Sequence, residues 1–490
     1  MSQRTEKFID ILVLALGIAG MAAVVADAPL TWAHLRNGLT LTGLTAHSPI
    51  GTVIPGVVSP SHLQWLLDAG IAVIYSVGGT AALTALFFLA SAAACALALV
   101  KRPQRGLLFT AIAAIAIAPA LHPFIGAQGS GVSFLCAFAL FGILDRWDTK
   151  DSHWIWALPF LYLFWSWCTP LALPTLIFPV LSLLLPRTHP TSRHAMLTFL
   201  FAILLCGVAT LLPPNGLHGW SEVLFPVANS QGTNIVFGGA SPDFHSWDFR
   251  IVEVIAAVFA TVLGFRSTRT LRMTGIFIGC IILFFQASEY LVILVAFMIP
   301  LYGTVLMEGI NRLGESFPAT RNHGTHGVRS VTFIGSWIVR VAVAMGGIVF
   351  VGQMLQVHTA LERDLPLAAL RTANSVLPEG TVLYTPLPWA SATAAGYTKG
   401  TVTFTGDSTT FTTRELEDYN EIHLVKSSWK STIADRHITA AIIPTMSQEA
   451  SLFNLLGWHV VCMDGVQQTE LVRAPSLDSV HTPHTSHVCQ

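Results

Sequence analysis

Charge is what this sequence has least of. Asp, Glu, Lys and Arg make up 11% of its 490 residues while 53% are hydrophobic, and a chain that covers a water-facing surface carries about 25% charged residues. The deficit excludes an ordinary soluble globular protein and points to a polytopic α-helical membrane protein. Excess charge of one sign is lacking as well. With 26 basic and 27 acidic residues the net charge is −1, so no global field would recruit nucleic acid. Cysteine is scarce. Of seven cysteines, Cys95, Cys136, Cys168, Cys206 and Cys280 fall inside apolar runs and read as small core residues. That leaves Cys462 and Cys489, between which a single bridge is geometrically open. Histidine pairs within apolar runs, which would clamp a haem, are missing. So are HExxH, GxSxG and a Gly-rich phosphate loop, and the polar C-terminal part therefore has no catalytic signature of its own.

What is present is a series of apolar runs from Ile9 to about Leu355, separated by short polar breaks. Eleven candidate spans follow, at 9–27, 76–100, 106–121, 129–145, 154–169, 170–186, 195–212, 250–265, 273–286, 289–307 and 334–354. Pro159, Pro170, Pro174 and Pro179 make the fifth and sixth kinked or partial helices, packed inside a bundle where neighbours satisfy the freed carbonyls. Alternate connections differ sharply in basic residues: one set carries fifteen Lys and Arg and the opposite set only Arg36 and Arg250. Basic residues stay on the cytoplasmic side. The N-terminus is therefore expected inside, with an uncleaved first span, and the long loops 28–75 and 213–249 face outward.

After Gln356 charge returns, and 356–475 reads as an outward α/β domain. Helical spacing covers 361–376, 414–434 and 447–456. Strand composition covers 381–385, 401–405 and 438–443, and a hairpin joins 458–463 to 469–473 around Asp464-Gly465. Its role is read as substrate recognition or partner docking. The tail 476–490 holds His481, His484 and His487, but its polar texture and Pro483 favour an unstructured segment over a metal site.

Two long outer loops rich in Trp, His and Asp suggest chemistry at the outer surface. The first holds Asp27, Trp32, His34 and Arg36 and ends in Gln64-Trp65-Leu66-Leu67-Asp68; the second ends in Ser241-Pro242-Asp243-Phe244-His245. A carboxylate beside a His and an Arg can act as general base, hold a divalent cation, or position a phosphate through the guanidinium fork.

This ordered set, with Pro213-Pro214-Asn215-Gly216 between the loops and Pro388-Trp389, Gly396-Tyr397, Glu417-Asp418-Tyr419, Trp429 and Gly457-Trp458 beyond them, resembles bacterial integral membrane proteins of the GT-C glycosyltransferase type. The resemblance implies a membrane domain over 1–355, and transfer of a sugar from a polyprenyl phosphate donor to an envelope acceptor at the outer face of the inner membrane. It implies Asp27, Asp68 and Asp243 as catalytic acids or bases, with a divalent cation possible. Trp32, His34, Arg36 and His245 would line the substrate, Arg36 at the phosphate. Positions where related sequences tend to carry acids read Ala28-Pro29-Leu30, Gln64 and Gly238-Gly239 here. They raise a second reading, a non-catalytic subunit acting as scaffold or docking partner for other membrane proteins.

Overall fold

A computed structural model describes residues 29–45, 64–99, 107–126, 128–150, 153–186, 192–214, 241–264, 271–316, 365–405, 413–465 and 468–477, with short pieces at 47–48, 51–52 and 488–489 and a few single positions elsewhere. It is mostly helical with a small sheet. The expected spans 9–27 and 334–354 and the three tail histidines lie essentially outside the described residues. Contacts divide the chain into two units. One gathers 84–224 and 238–354 with the first 25 residues; the other gathers 26–83 and 225–237 with everything from Leu355 onward.

The segment from Pro29 to Leu99 is more ordered than its composition suggests. Helix α1 spans Pro29–Thr42, a short pairing joins β1 (His47–Ser48) to β2 (Gly51–Thr52), and α2 spans Trp65–Leu99. The last of these begins eleven residues before the expected span at 76 and is broken at Gly78–Gly79, where Gly79 takes φ 62°, ψ −155°, a conformation open only to glycine. Helix α2 and two other stretches, Gly129–Asp148 and Ser288–Ile310, are long and apolar enough to cross a membrane.

The helical unit continues with α3 (Leu107–Leu121), α4 (Gly129–Lys150), α5 (Ala157–Cys168), α6 (Ile177–Leu184), α7 (Arg193–Ala209), α8 (Trp247–Gly264), α9 (Leu271–Gln286) and α10 (Leu291–Ser316). As the prolines require, 154–186 is a run of short pieces, with single 3-10 turns at Pro170–Ala172 and Pro174–Leu176. Tyr162 donates to the Thr175 carbonyl at 2.9 Å and Trp165 donates to Ser133 Oγ at 2.9 Å, so these two buried polar groups find partners inside the bundle. Helix α10 is the post around which the unit packs, touching α3, α4, α8 and α9. Every residue from Leu291 to Ile299 is buried, as expected for a helix apolar on all sides. At one end of the unit Arg272 reaches Asp148 at 2.6 Å, both sheltered.

The second unit completes its core with α11 (Leu367–Val376), β3 (Thr381–Tyr384), α12 (Leu387–Gly396), β4 (Gly400–Val402), α13 (Thr413–His423), α14 (Trp429–Asp435), β5 (Ala440–Pro444), α15 (Gln448–Leu455), β6 (His459–Asp464) and β7 (Thr469–Arg473). The strands form one mixed sheet in the order β4-β3-β5-β7-β6, parallel among β4, β3 and β5 and antiparallel beyond. β5 is buried along Ala440 to Ile443 because helices cover both faces. One face holds Tyr384, Tyr419, Phe453 and Trp458, the other Leu370, Leu383, Cys462 and Leu471. Where a single helix is expected over 414–434 there are two. Val425 sits at φ 51° and Lys426 N–H reaches back to the Glu421 carbonyl, a left-handed helix stop made without glycine.

Cys462 and Cys489 form a disulfide with 27 residues of separation, and Val488 pairs with Met463 on edge strand β6. The bridge ties the chain's end to the sheet edge. Replacing both cysteines by Ser is expected to destabilise this unit by about 2–4 kcal/mol. Chemical denaturation of the full chain, read at Trp458, together with non-reducing peptide mapping, checks both the cost and the pairing.

Candidate functional site

Three acid and histidine pairs stand out, and their surroundings differ so much that only one is built like a site interior. The innermost is His34 with Asp68. Nδ1 of His34 lies 2.7 Å from Oδ1 of Asp68, and the two side chains are 1% and 0% exposed. The pairing follows from how closely α1 approaches α2. A Cβ on Gly38 would stand 2.0 Å from the Asp68 carbonyl oxygen and 2.8 Å from Ala72 Cβ, so only glycine lets the helices meet here. One turn before Gly38, His34 is then directed at Asp68 in the first turn of α2. Trp32 meets Tyr75 edge-on at 6.3 Å and closes the same seam.

The other flank of α1 packs on α12, whose residues from Ala390 to Gly396 are all buried. Small side chains, Ala-Ser-Ala-Thr-Ala-Ala-Gly, let that helix sit between neighbours. Residues 31–35 of α1 are correspondingly buried without a break. Arg36, on the same helix, is half-buried, and burial draws its guanidinium below the ordinary value. Thus Trp32, His34 and Arg36 from the sequence reading fall on α1 and Asp68 on the first turn of α2, where His34 meets Asp68 and Trp32 meets Tyr75, whereas Asp27 lies outside the described residues.

Asp243 and His245 belong to the other unit and are built differently. Oδ1 of Asp243 accepts the His245 backbone N–H at 2.9 Å and stands 3.2 Å from its Nδ1, with both side chains largely exposed. Chiefly the His245 backbone N–H, with smaller contributions from its ring and from Arg250, holds the Asp243 carboxyl below the usual range. The turn is fixed by Ser241 donating to the Phe285 carbonyl and by Phe244 packed edge-on to Phe285. It presents these groups to solvent at the start of α8.

The third pair lies in the α/β unit and had no sequence signal, because its partners are 26 positions apart. His423 Nδ1 meets Glu449 Oε1 at 2.5 Å, and Tyr419 stacks on the imidazole one turn away. The hydrogen bond to Glu449 raises the His423 pKa. Burial pushes Glu449 up, but hydrogen bonds from His423 and from its own backbone N–H outweigh it and leave the carboxyl lowered. Among the described residues no cluster of three or more His, Cys, Asp or Glu could hold a metal ion.

Two outcomes are expected. Asp68→Ala strands a buried imidazole and should cost about 3–5 kcal/mol, while Asp68→Asn, whose amide oxygen still accepts from Nδ1, should cost clearly less; denaturant unfolding of the purified chain separates them. The His423–Glu449 contribution is full between the ordinary values of Glu and His, 4.5 and 6.5. It fades as pH rises through the raised His423 pKa, and also as pH falls through the lowered Glu449 pKa. A melting-temperature series from pH 6 to 9 should therefore decline in wild type and flatten in Glu449→Gln.

No protein-family model and no curated protein matches this chain. Its functional reading rests on its own residues.

Proposed function

We propose that the chain is a multi-pass membrane transferase that moves a glycosyl group from a polyprenyl phosphate donor to an envelope acceptor at the outer face of a bacterial inner membrane. The observation that carries the reading is the buried His34–Asp68 pair, with Arg36 two residues further along the same helix of the first outer loop. In this reading Asp68 holds Nδ1–H and fixes the tautomer, so Nε2 is the base. An acceptor hydroxyl gives its proton to Nε2, its oxygen forms the new bond at the anomeric carbon, and the lipid phosphate leaves with the bonding electrons. Arg36 faces the departing phosphate.

Eleven spans, a cytoplasmic N-terminus and an outward C-terminal domain complete the reading. It is supported by the uneven distribution of Lys and Arg and by the Cys462–Cys489 bridge, which persists in an oxidising compartment. The second reading, a non-catalytic scaffold or docking subunit, is favoured by one observation: the His34 and Asp68 side chains are closed to solvent.

Transfer from radiolabelled polyprenyl-phosphate sugars by the reconstituted chain tests the two. His34→Ala should lower the rate about 10²–10⁴-fold, and Asp68→Asn should shift the pH profile as well as the rate, with melting temperatures recorded alongside. Asp27→Asn shares the assay as the rival base. Undiminished transfer in His34→Ala would remove the assignment, and a wild type inactive with every donor would favour the scaffold.

A further inference from the structure

Within the helical unit an open groove of about 440 Å³ runs along the seam of α3, α8 and α10, within the range of small-ligand sites. Its walls are Phe109, Ile112 and Ala116 of α3, Ile251 and Val254 of α8, and Leu306 of α10. Polar groups are confined to few positions. The α3 wall from Phe109 to Ala116 covers about 10 Å at 1.5 Å per residue, the reach of a short hydrocarbon chain.

Two residues of the first turn of α8, Trp247 and Arg250, also line the groove. Arg250 places its guanidinium 5.4 Å from the exposed Trp247 ring, and its Nε donates to the Phe244 carbonyl at 2.9 Å. The side chain is thereby fixed, and among the described residues its two terminal nitrogens make no hydrogen bond. An indole beside a cation is the pattern of a membrane–water boundary, with lipid tail on one side and headgroup on the other. Asp243 is close enough to feel Arg250, but it is tied to the His245 backbone and ring and makes no ion pair with the guanidinium among the described contacts.

We propose that this groove binds one hydrocarbon chain of a membrane lipid, with the lipid's phosphate held on Arg250. The inference rests on the membrane reading above and not on sugar transfer. An apolar trough alone would take any chain indifferently; a fixed cation at its end adds charge-assisted hydrogen bonds that select a phosphate head over a neutral one. Exposed apolar side chains at Ile112 and Val254 flank the trough and extend the lipid-facing surface.

The test is binding of dodecyl phosphate and of dodecanol to the full chain in detergent, followed by native mass spectrometry. Wild type should hold dodecyl phosphate at least about tenfold more tightly than dodecanol. Arg250→Gln should erase that preference with no change in dodecanol binding, and Arg250→Lys should restore part of it. Ala116→Trp, at a half-buried position that fills the trough, should weaken both ligands. Melting temperatures of each variant show whether the fold is intact. Equal affinity of wild type for the two ligands, or a phosphate preference that survives in Arg250→Gln, would overturn the proposal. So would undiminished binding in Ala116→Trp. Carbonate extraction of native membranes reads the membrane assignment separately: a chain released by carbonate removes that premise, whereas a retained chain without selectivity removes only the groove.

Discussion

The approach of α1 to α2 at Gly38 is the constraint on which the unit built around the mixed sheet depends. With no side chain at that position, the helix backbone rests on the Asp68 carbonyl. The acid is thereby enclosed, and His34 is the group that satisfies it. A buried carboxylate without such a partner is strongly unfavourable, so the glycine, the histidine and the acid form one requirement rather than three independent choices. Packing of the small-residue helix α12 on the other flank of α1 makes the loop helix part of the α/β unit, not an appendage to it.

The helical unit follows a different rule. Its central helix α10 is uniformly apolar from Leu291 to Ile299, and the polar contacts described in the unit include Arg272 with Asp148, Gly303 N–H with Thr110 Oγ1, and Tyr162 with the Thr175 carbonyl in the proline-broken stretch. Between α3, α8 and α10 the packing leaves an apolar trough instead of closing. A cation stands at the start of α8, where the chain enters the unit, and the proposed lipid site uses that single charge at the end of an otherwise uncharged surface.

Much of this was legible in the sequence where local pattern decides structure. Apolar runs mark α3, α4 and α7 within a few residues, and strand composition with the Asp464-Gly465 turn signal marks β3, β5 and the β6–β7 hairpin. What escaped is set by long-range contact. Helix α1 was hidden because buried positions 31–35 are consecutive and include Thr31 and His34, so no amphipathic period appears. Helix α12 was hidden by Pro386, Pro388 and a string of small residues, although proline is well suited to a first helical turn. The stop at Val425 used a β-branched residue in a conformation normally given to glycine. For the site, His34 and Asp68 were chosen as residue types and prove to be paired, but the His423–Glu449 pair and the groove beside Arg250 exist only once the helices are packed.

The central claim is that α1, the first turns of α2, and α12 form one cooperative unit through the glycine contact. Hydrogen exchange of the full chain in lipid nanodiscs, compared between wild type and Gly38→Val, tests it directly. The account predicts that amides of 29–42, 65–77 and 387–396 lose protection together while those of β5 and β7 keep theirs. Loss confined to 29–42, or no loss at all, would contradict it.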